Sequence, residues 1–222
     1  MKVRKLQRPT HPDFNDVVIH LTGRTTKAAA AEDCLHRILQ EGVVRASLPY
    51  GIDQGAACFT ESTSRGVCWL VARRHFAPFG IAFTKAYLFD QGGAPVLPVR
   101  GDEWHLVQAL PSELRARVVR IWPGVILEPG ESVPPAHLIS RSEWLMEREW
   151  RVPAAVGAPA VSFALSDVAF LIVPNPQWIE TQVRSFASGG HRILAKDLAK
   201  TRWLSIDEAG QITANNGVKL LR

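Results

Sequence analysis

The sequence predicts a single domain that mixes strands and helices, of the α+β or mixed α/β class, and three observations lead to this prediction. The chain has 222 residues, enough for one sizeable hydrophobic core. Hydrophobic residues make up 46% and charged residues 21%, values typical of globular proteins. Short apolar runs alternate with helical patterns and no internal repeat is present, which favours packed layers. We therefore expect one domain over residues 1–222.

The first half of the chain begins with a polar, proline-containing segment, which predicts an irregular arm over residues 1–16. Short apolar runs then predict strands, at 17–22, 43–47, 56–60, 79–83 and 95–99. The last would be an edge or interrupted strand because of Pro98. Helical patterns lie between these strands, at 27–40, 62–75 and 85–91.

The second half begins with two predicted helices, 102–110 and 111–119, the latter opened by a proline at its first turn. A segment rich in proline and glycine follows and predicts a long loop over 123–143; such loops are often functional. The remaining pattern predicts further elements, namely strands at 168–173, 191–194 and 203–206, a helix at 176–188, and a hairpin turn at 208–211 before a strand at 212–213.

The charge balance points to a ligand that carries phosphate. Lysine and arginine total 26 against 21 acidic residues, giving a net charge of +5, and 19 of the 26 cations are arginine. Arginine binds phosphate and carboxylate with two parallel hydrogen bonds, so this composition suits a nucleotide or a nucleic acid. Solvated surface arginines are the alternative interpretation, since no dense basic run is present.

The cysteines and the hydrophobic pattern predict a cytoplasmic protein without a membrane segment. Cys34, Cys58 and Cys68 are odd in number and form no Cys-x-x-Cys pair, so neither a disulfide framework nor a structural zinc site is expected. The chain has no apolar run of membrane-spanning length and no signal-peptide pattern at residues 1–16.

Several common catalytic motifs are absent from the sequence. It contains no P-loop motif, no Gly-x-Gly-x-x-Gly after a strand, no His-Glu-x-x-His and no Gly-x-Ser-x-Gly. The zinc-deaminase signature is also missing. We therefore expect no resident metal and none of the usual nucleotide-hydrolase, zinc-protease or serine-hydrolase chemistries.

The segment 147–151, Glu-Arg-Glu-Trp-Arg, is the first candidate site. In a strand, Glu147, Glu149 and Arg151 would share one face and Trp150 would lie on the other. Two carboxylates beside a cation can stabilise an oxocarbenium-like centre on a ribose, as in glycoside-cleaving enzymes. The alternative is an exposed edge strand or a helix end with solvated charges.

Three further segments each allow a functional and a structural interpretation. His20 and Thr22, on one face of a strand, can hydrogen-bond a ribose or form a core histidine beside a helix-capping threonine. Residues 59–61 with the arginines of 65–74 can hold a pyrophosphate or start an ordinary helix. The aromatic rings of 79–83 can stack on a base or fill the core.

The order of these segments resembles a bacterial family often found as abortive-infection or toxin-type proteins. That family repeats a Cys/Phe-Thr-Glu strand, a Tyr/Phe-Gly-Ile-x-Phe strand with Lys, and Glu-x-Glu-Trp-Arg, which correspond to 59–61, 79–85 and 147–151 here. The layout is also similar to the ADP-ribosyltransferase superfamily, including toxins that modify DNA bases, in which an early His or Arg, here His20, holds NAD. The resemblance covers residues 17–153.

The resemblance implies a fold and a function. The fold would be α+β in one compact domain, with a mixed, largely antiparallel split β-sheet core and short flanking helices. The activity would be NAD-dependent ADP-ribosyl transfer of toxin or phage-defence type, with NAD as substrate and nucleic acid as the acceptor. A protein antitoxin or a defence partner is also implied, and a membrane is not.

The resemblance also implies catalytic roles. Glu149 would hydrogen-bond the nicotinamide ribose and stabilise the oxocarbenium ion as nicotinamide leaves. Glu147 would orient or deprotonate the accepting group, and the loop 123–143 would contact the acceptor.

The cofactor-binding roles follow from the same resemblance. His20 and Thr22 would hold the ribose or the nicotinamide amide, and Arg73 or Arg74 would bind the pyrophosphate. A ring of the 79–83 strand would stack on the nicotinamide. The complete implied set is His20, Thr22, Thr60, Arg73, Arg74, Phe79 and Phe83, where Thr60 or Phe79 replaces the usual middle Ser or Tyr.

Two other functions remain open at the level of the sequence. The first is a non-catalytic module on the same fold that binds nucleic acid or a protein partner, with salt-dependent affinity. The second is a metal-dependent nuclease that uses Glu61, Glu147 and Glu149.

Overall fold

The computed structural model describes residues 15–23, 25–49, 52–121 and 148–218. In chain order the strands are β1 (Val17–Leu21), β2 (Val43–Arg45), β3 (Ala56–Thr60), β4 (Gly80–Thr84), β5 (Ala94–Pro95), β6 (Leu97–Arg100), β7 (Val118–Ile121), β8 (Glu149–Pro153), β9 (Pro159–Ser162), β10 (Val168–Val173), β11 (Trp203–Ile206) and β12 (Ile212–Asn216). The helices are α1 (Ala28–Glu41), α2 (Ser64–Arg74), α3 (Lys85–Asp90), α4 (Trp104–Val107), α5 (Ser112–Arg115), α6 (Pro176–Ser188) and α7 (Arg192–Leu198).

Eight of these strands form one sheet in the order β12-β11-β10-β4-β1-β3-β8-β5. Most neighbours are antiparallel, whereas β10 and β11 run parallel. Two smaller pairs, β2 with β9 and β6 with β7, lie beside the main sheet. The fold is therefore a single compact α+β domain with a mostly antiparallel sheet.

Side chains alternate between the two faces of the sheet and create two hydrophobic cores. The main core contains one side of each central strand, including Val18 of β1 and Phe83 of β4, and the helices α1, α3, α6 and α7 pack against it. The second core lies on the opposite face, where Ile19 and Ala82 meet α2. The sheet is thus covered by helices on both faces, which buries its apolar residues on each side.

Helix ends follow the capping rules. Gly42 ends α1 in the left-handed conformation, with φ of 65°, and its N–H donates to the carbonyl of Ile38. Thr63 accepts a hydrogen bond from the N–H of Gly66 at the start of α2, and Asn175 does the same for Trp178 at the start of α6. These local signals are visible in the sequence, which explains why α1, α2 and α6 agree closely with the prediction.

Several predicted elements differ from the structure. The predicted helix 102–110 is reduced to α4, and the predicted strand 95–99 is divided between β5 and β6. Two further differences have a clear physical cause. Residues 191–194 were predicted as a strand but lie at the start of helix α7, because Ala195 and Leu198, three residues apart, supply its buried side. The predicted helix 111–119 is shorter, since α5 ends at Arg115 and Val118 starts strand β7, where Val118 is 1% exposed. Tertiary pairing with β6 overrides the local helical pattern there.

Two predictions fall on residues outside the described ranges. The irregular arm at 1–16 is described only at residues 15 and 16, and the loop 123–143 is not described at all. Within the described ranges, no helix is long and apolar enough to cross a membrane.

Candidate functional site

The three motif segments meet at one end of the main sheet because of its strand directions. Strands β3 and β4 both run antiparallel to β1 and end at the edge where β1 begins. Strand β8 runs antiparallel to β3 and begins at the same edge, with Glu149 opposite Thr60. The residues just beyond these strand ends are Glu61, Lys85 and Arg148. The topology therefore brings together charged residues that are far apart in the sequence.

The centre of this edge is a buried carboxylate. Glu61 is 5% exposed, and its Oε1 atom lies 2.6 Å from Nζ of Lys85 and also accepts a hydrogen bond from Nη2 of Arg148. Its Oε2 atom accepts a hydrogen bond of 2.9 Å from the indole Nε1 of Trp150. We call these four residues, Glu61, Lys85, Arg148 and Trp150, the Glu61 cluster.

The Glu61 cluster is held by packing and by backbone contacts as well as by charge. The ammonium of Lys85 lies 5.9 Å from the centre of the Trp150 ring, within the range of a cation–π contact. The N–H of Glu61 donates to the carbonyl of Arg148 at 3.2 Å, which extends the β3–β8 ladder by one residue. Both oxygens of the carboxylate are thus engaged, Oε1 with the two cations and Oε2 with the indole.

A second set of hydrogen bonds shapes the chain immediately after Glu61. The hydroxyls of Thr60 and Ser62 lie 2.7 Å apart, and Nδ2 of Asn15 donates to the carbonyl of Ser62 at 2.9 Å. All three residues are buried. Thr60, predicted as a cofactor-binding residue, thus uses its hydroxyl in supporting the turn that presents Glu61.

Arg148 combines exposure with an uncommon backbone conformation. Its φ is 45°, in the left-handed region that costs a non-glycine residue about 1–2 kcal/mol. Its side chain is 41% exposed, against 18% for Lys85. Strained backbone positions are concentrated at functional sites, and Arg148 is the member of the Glu61 cluster that meets solvent most.

Glu149 forms a separate ion pair on the opposite face of β8 from Trp150. Nε of Arg151 donates to its Oε1 at 2.7 Å and Nη2 donates to its Oε2 at 3.0 Å. Arg151 is 2% exposed, and its Nη1 donates to the carbonyls of Ala116 at 3.2 Å and Val118 at 2.9 Å. The predicted catalytic carboxylate is therefore fixed in orientation, and 16% of its side chain is exposed.

Cys58 lies opposite Arg151 on the neighbouring strand β3. Its thiol interacts with the charges of both Glu149 and Arg151. Burial raises the pKa of the Cys58 thiol well above its ordinary value, and the nearby charge of Glu149 raises it further. The group is a neutral thiol at physiological pH, so it is not an activated nucleophile.

His20 and Thr22 do not join Glu149. His20 lies two residues after Val18 on β1, on the main-core face, whereas Glu149 lies on the other face. Nδ1 of His20 is 2.8 Å from the carbonyl of Cys58, and burial lowers the pKa of the imidazole. The hydroxyl of Thr22 lies 2.8 Å from the carbonyl of Ala31 at the start of α1, a structural position.

The predicted pyrophosphate-binding arginines lie at the far end of α2. Arg73 is exposed, nine residues from Ser64, which corresponds to about 14 Å along the helix axis. Arg74 is the last residue of the helix. Arg73 is therefore separated from the sheet edge that holds Glu149 and the Glu61 cluster.

The two predicted stacking rings belong to the main core. Phe79 is 6% exposed and Phe83 is fully buried. The Phe79 ring lies 5.8 Å from Trp178, and the Phe83 ring lies 5.2 Å from Phe163 and 5.5 Å from Tyr87. Both rings therefore fill the core, which was the structural interpretation of the segment 79–83.

Glu147, the second predicted catalytic carboxylate, lies outside the described residues. The described part of the chain contains no group of three His, Cys, Asp or Glu residues placed to hold a metal ion. Glu61, which the nuclease hypothesis needs, has its carboxylate between Lys85 and Arg148.

Sequence reasoning placed Glu61, Lys85 and Trp150 in motifs but did not assign them to one site. The signal was available in part, since Glu61 directly follows the predicted strand 56–60 and Lys85 lies two residues after the predicted strand 79–83. Pairing β3 and β4 on either side of β1 was needed to see that these two ends coincide.

The comparisons with known proteins identify no relative. No protein-family model matches the sequence, and no curated protein and no solved structure shows a significant match. The function proposed below therefore rests on the site itself.

Proposed function

We propose that this chain binds nucleic acid through the edge of the sheet that carries the Glu61 cluster. One observation carries the proposal: three distant segments place Lys85 and Arg148 on one buried carboxylate, with the Arg148 side chain 41% exposed. This is the non-catalytic binding module that the sequence left open.

The physical argument begins with the cost of the arrangement. A buried carboxylate with two cations gives little net stability, because desolvation offsets most of the attraction between the charges. What the arrangement does provide is position, since Glu61 holds two long cationic side chains in place before a ligand arrives. Side chains fixed in advance lose less conformational entropy on binding, and arginine presents a planar fork to phosphate oxygens.

The composition of the whole chain agrees with this proposal. The net charge is +5 and arginine supplies 19 of 26 cations, which favours attraction of a polyanion at long range. In this proposal the Glu61 cluster makes the local contact with the nucleic acid, and the other arginines contribute a diffuse positive potential.

The test is the affinity of the purified chain for a fluorescently labelled oligonucleotide, measured by anisotropy. Arg148→Gln removes one phosphate contact and leaves Glu61 with Lys85 and Trp150, so we expect affinity to fall about tenfold. Arg148→Lys keeps the charge but lacks the planar fork, so it should retain more binding than Arg148→Gln and less than the wild-type chain. Arg192→Gln is the matched control, because Arg192 is an exposed arginine on α7 and does not belong to the Glu61 cluster.

The proposal is wrong if Arg148→Gln binds as tightly as the wild-type chain, or if Arg192→Gln weakens binding equally. Equal losses would mean that only the net charge matters. A thermal unfolding curve for each variant shows whether the fold is retained.

We propose NAD-dependent ADP-ribosyl transfer as a second candidate, because Arg151 fixes both oxygens of Glu149. A carboxylate held at a strand end, next to Arg148, supports this candidate, because a fixed negative charge can stabilise a developing ribosyl cation. In this candidate NAD is the substrate and nucleic acid the acceptor. The phosphates of NAD would meet Arg148, the residue adjacent to Glu149, in place of Arg73.

Transfer of label from NAD to nucleic acid separates this candidate from simple binding. Glu149→Gln should abolish transfer while oligonucleotide affinity persists, and Glu113→Gln, an exposed control, should leave both unchanged. If the wild-type chain transfers no label, or if Glu149→Gln transfers it fully, the second candidate is wrong and the binding proposal is unaffected.

A further inference from the structure

We propose that the exposed face of α2 binds single-stranded nucleic acid, with a base stacked on Trp69 and phosphates held by Arg65 and Arg73. This inference rests on the nucleic-acid binding proposed above, and it names the form of nucleic acid that is bound. It also gives Arg73 a role that differs from the pyrophosphate contact implied by the resemblance.

The three residues form one stripe along the helix. Arg65, Trp69 and Arg73 follow one another at intervals of four residues, so their side chains lie on the same side of α2, about 6 Å apart along the axis. All three are exposed, and Trp69 is 42% exposed. The other side of the helix packs Val67 and Val71 into the second core, where each is 1% exposed. The helix is thus anchored by one side and presents the stripe on the other.

The charge of α2 suits a polyanionic partner. Its sequence, Ser-Arg-Gly-Val-Cys-Trp-Leu-Val-Ala-Arg-Arg, contains no acidic residue. Arg65 lies in the first turn, where a positive charge opposes the helix dipole and is unfavourable to the helix. The stability of the helix therefore does not account for a cation at this position, whereas a phosphate contact does.

The tryptophan between the two arginines favours single-stranded over double-stranded nucleic acid. A tryptophan ring can stack on any base, because every base has a π-face, and arginines beside it can hold the adjoining phosphates. In a duplex the base faces are covered by neighbouring base pairs, so they cannot reach a ring on a helix surface. A tryptophan and two arginines on one surface are also the residue types that dominate binding energy at interfaces.

The position of α2 connects the stripe to the site already described. The helix begins at Ser64, three residues after Glu61, and Thr63 fixes its first turn through the hydrogen bond of 3.3 Å from the N–H of Gly66. The Glu61 cluster borders the main core and α2 covers the opposite face, so a nucleic-acid strand that contacts Arg148 would pass over the sheet edge and then follow α2 past Arg65, Trp69 and Arg73.

The experiment compares a labelled single-stranded oligothymidylate with a duplex of equal length by anisotropy. We expect Trp69→Ala to weaken single-strand binding about tenfold, and Trp69→Phe to retain most of it. The double variant Arg65→Gln, Arg73→Gln should reduce the slope of log affinity against log salt by about 1.4, since each phosphate contact on a single strand contributes about 0.7. Ile193→Ala, at an apolar residue that is 80% exposed, is the matched control and should change nothing.

The outcomes distinguish this inference from the proposed function. If Trp69→Ala binds the oligonucleotide like the wild-type chain while Arg148→Gln loses affinity, the inference about α2 is wrong and the proposed function stands. Tighter binding of the duplex than of the single strand also overturns the inference. If the wild-type chain binds neither oligonucleotide, the proposed function itself fails.

Discussion

Arg151 offers the sharpest test of how the sheet edge is held together. We predict that Arg151→Met destabilises the fold by about 3–5 kcal/mol, the usual result of removing one member of a buried ion pair. Arg151 is 2% exposed, and its loss leaves Glu149 without its bidentate partner. It also leaves the carbonyls of Ala116 and Val118 without the donor Nη1.

The magnitude can be worked from these contacts. Each buried carbonyl that loses its donor costs about 1–3 kcal/mol, and both Ala116 and Val118 are 1% exposed. Glu149 is 16% exposed on its side chain, so water can partly replace the guanidinium. The two carbonyls at about 1 kcal/mol each and a partly hydrated carboxylate at about 2 kcal/mol give about 4 kcal/mol. Since a domain of this size has a total stability of about 5–15 kcal/mol, this loss is large.

The assay is urea unfolding followed by circular dichroism, with the free energy taken from midpoints at a constant slope. Arg100→Met is the control, because Arg100 pairs with Asp102 with its side chain 74% exposed, and its midpoint should not move measurably. The double variant Arg151→Met, Glu149→Leu should recover part of the loss, since no unpaired charge remains. A loss below 1 kcal/mol for Arg151→Met would refute this account of the pair.

Two further predictions concern stability. Burial lowers the pKa of His20 in the folded state, so the unfolded chain binds a proton first as the pH falls below the ordinary value of 6.5. Stability should therefore decrease below that pH, and His20→Gln should flatten the decrease in melting temperature measured between about pH 7.5 and 5; an unchanged pH profile would contradict the prediction. Gly210 has φ of +75°, and a Cβ there would lie 2.3 Å from the carbonyl oxygen of Cys68, so Gly210→Ala should cost about 3 kcal/mol in urea unfolding. Gly157→Ala, with φ of +81° and open space around it, should cost about 1 kcal/mol, and equal losses for the two variants would contradict the packing argument.

Elements with strong local signals were predictable from the sequence. Helix α6 has the predicted bounds, because Asn175 caps its start and Pro176 occupies its first turn. Strand β10 is a continuous apolar run, and all six of its residues are buried between the two cores. Such segments carry enough information in themselves to define their structure.

The errors occurred where the structure depends on distant pairing. Strand β7 forms because Val118 pairs with Leu97 of β6, which no local pattern shows. Helix α7 was predicted as a strand from its short apolar run, although Ala195 and Leu198 supply a helical spacing when the window is extended. In both cases a window of four or five residues was too short to decide between periods of 2 and 3.6.

The candidate site was predictable in its segments but not in its geometry. Alternation along a strand correctly separates Glu149 from Trp150, because both lie within β8. Alternation does not extend back to Arg148, since its φ of 45° turns the chain out of the strand conformation. The contact between Glu61 and Lys85 depends on the strand order β4-β1-β3, which local sequence patterns do not encode.

The salt dependence of oligonucleotide binding tests the central claim most directly. If Arg148 of the Glu61 cluster contacts a phosphate, Arg148→Gln should reduce the slope of log affinity against log salt by about 0.7 on a single strand. The control Arg192→Gln should keep the wild-type slope. An unchanged slope for Arg148→Gln, alongside measurable wild-type binding, would contradict the claim that this cluster holds the phosphate backbone.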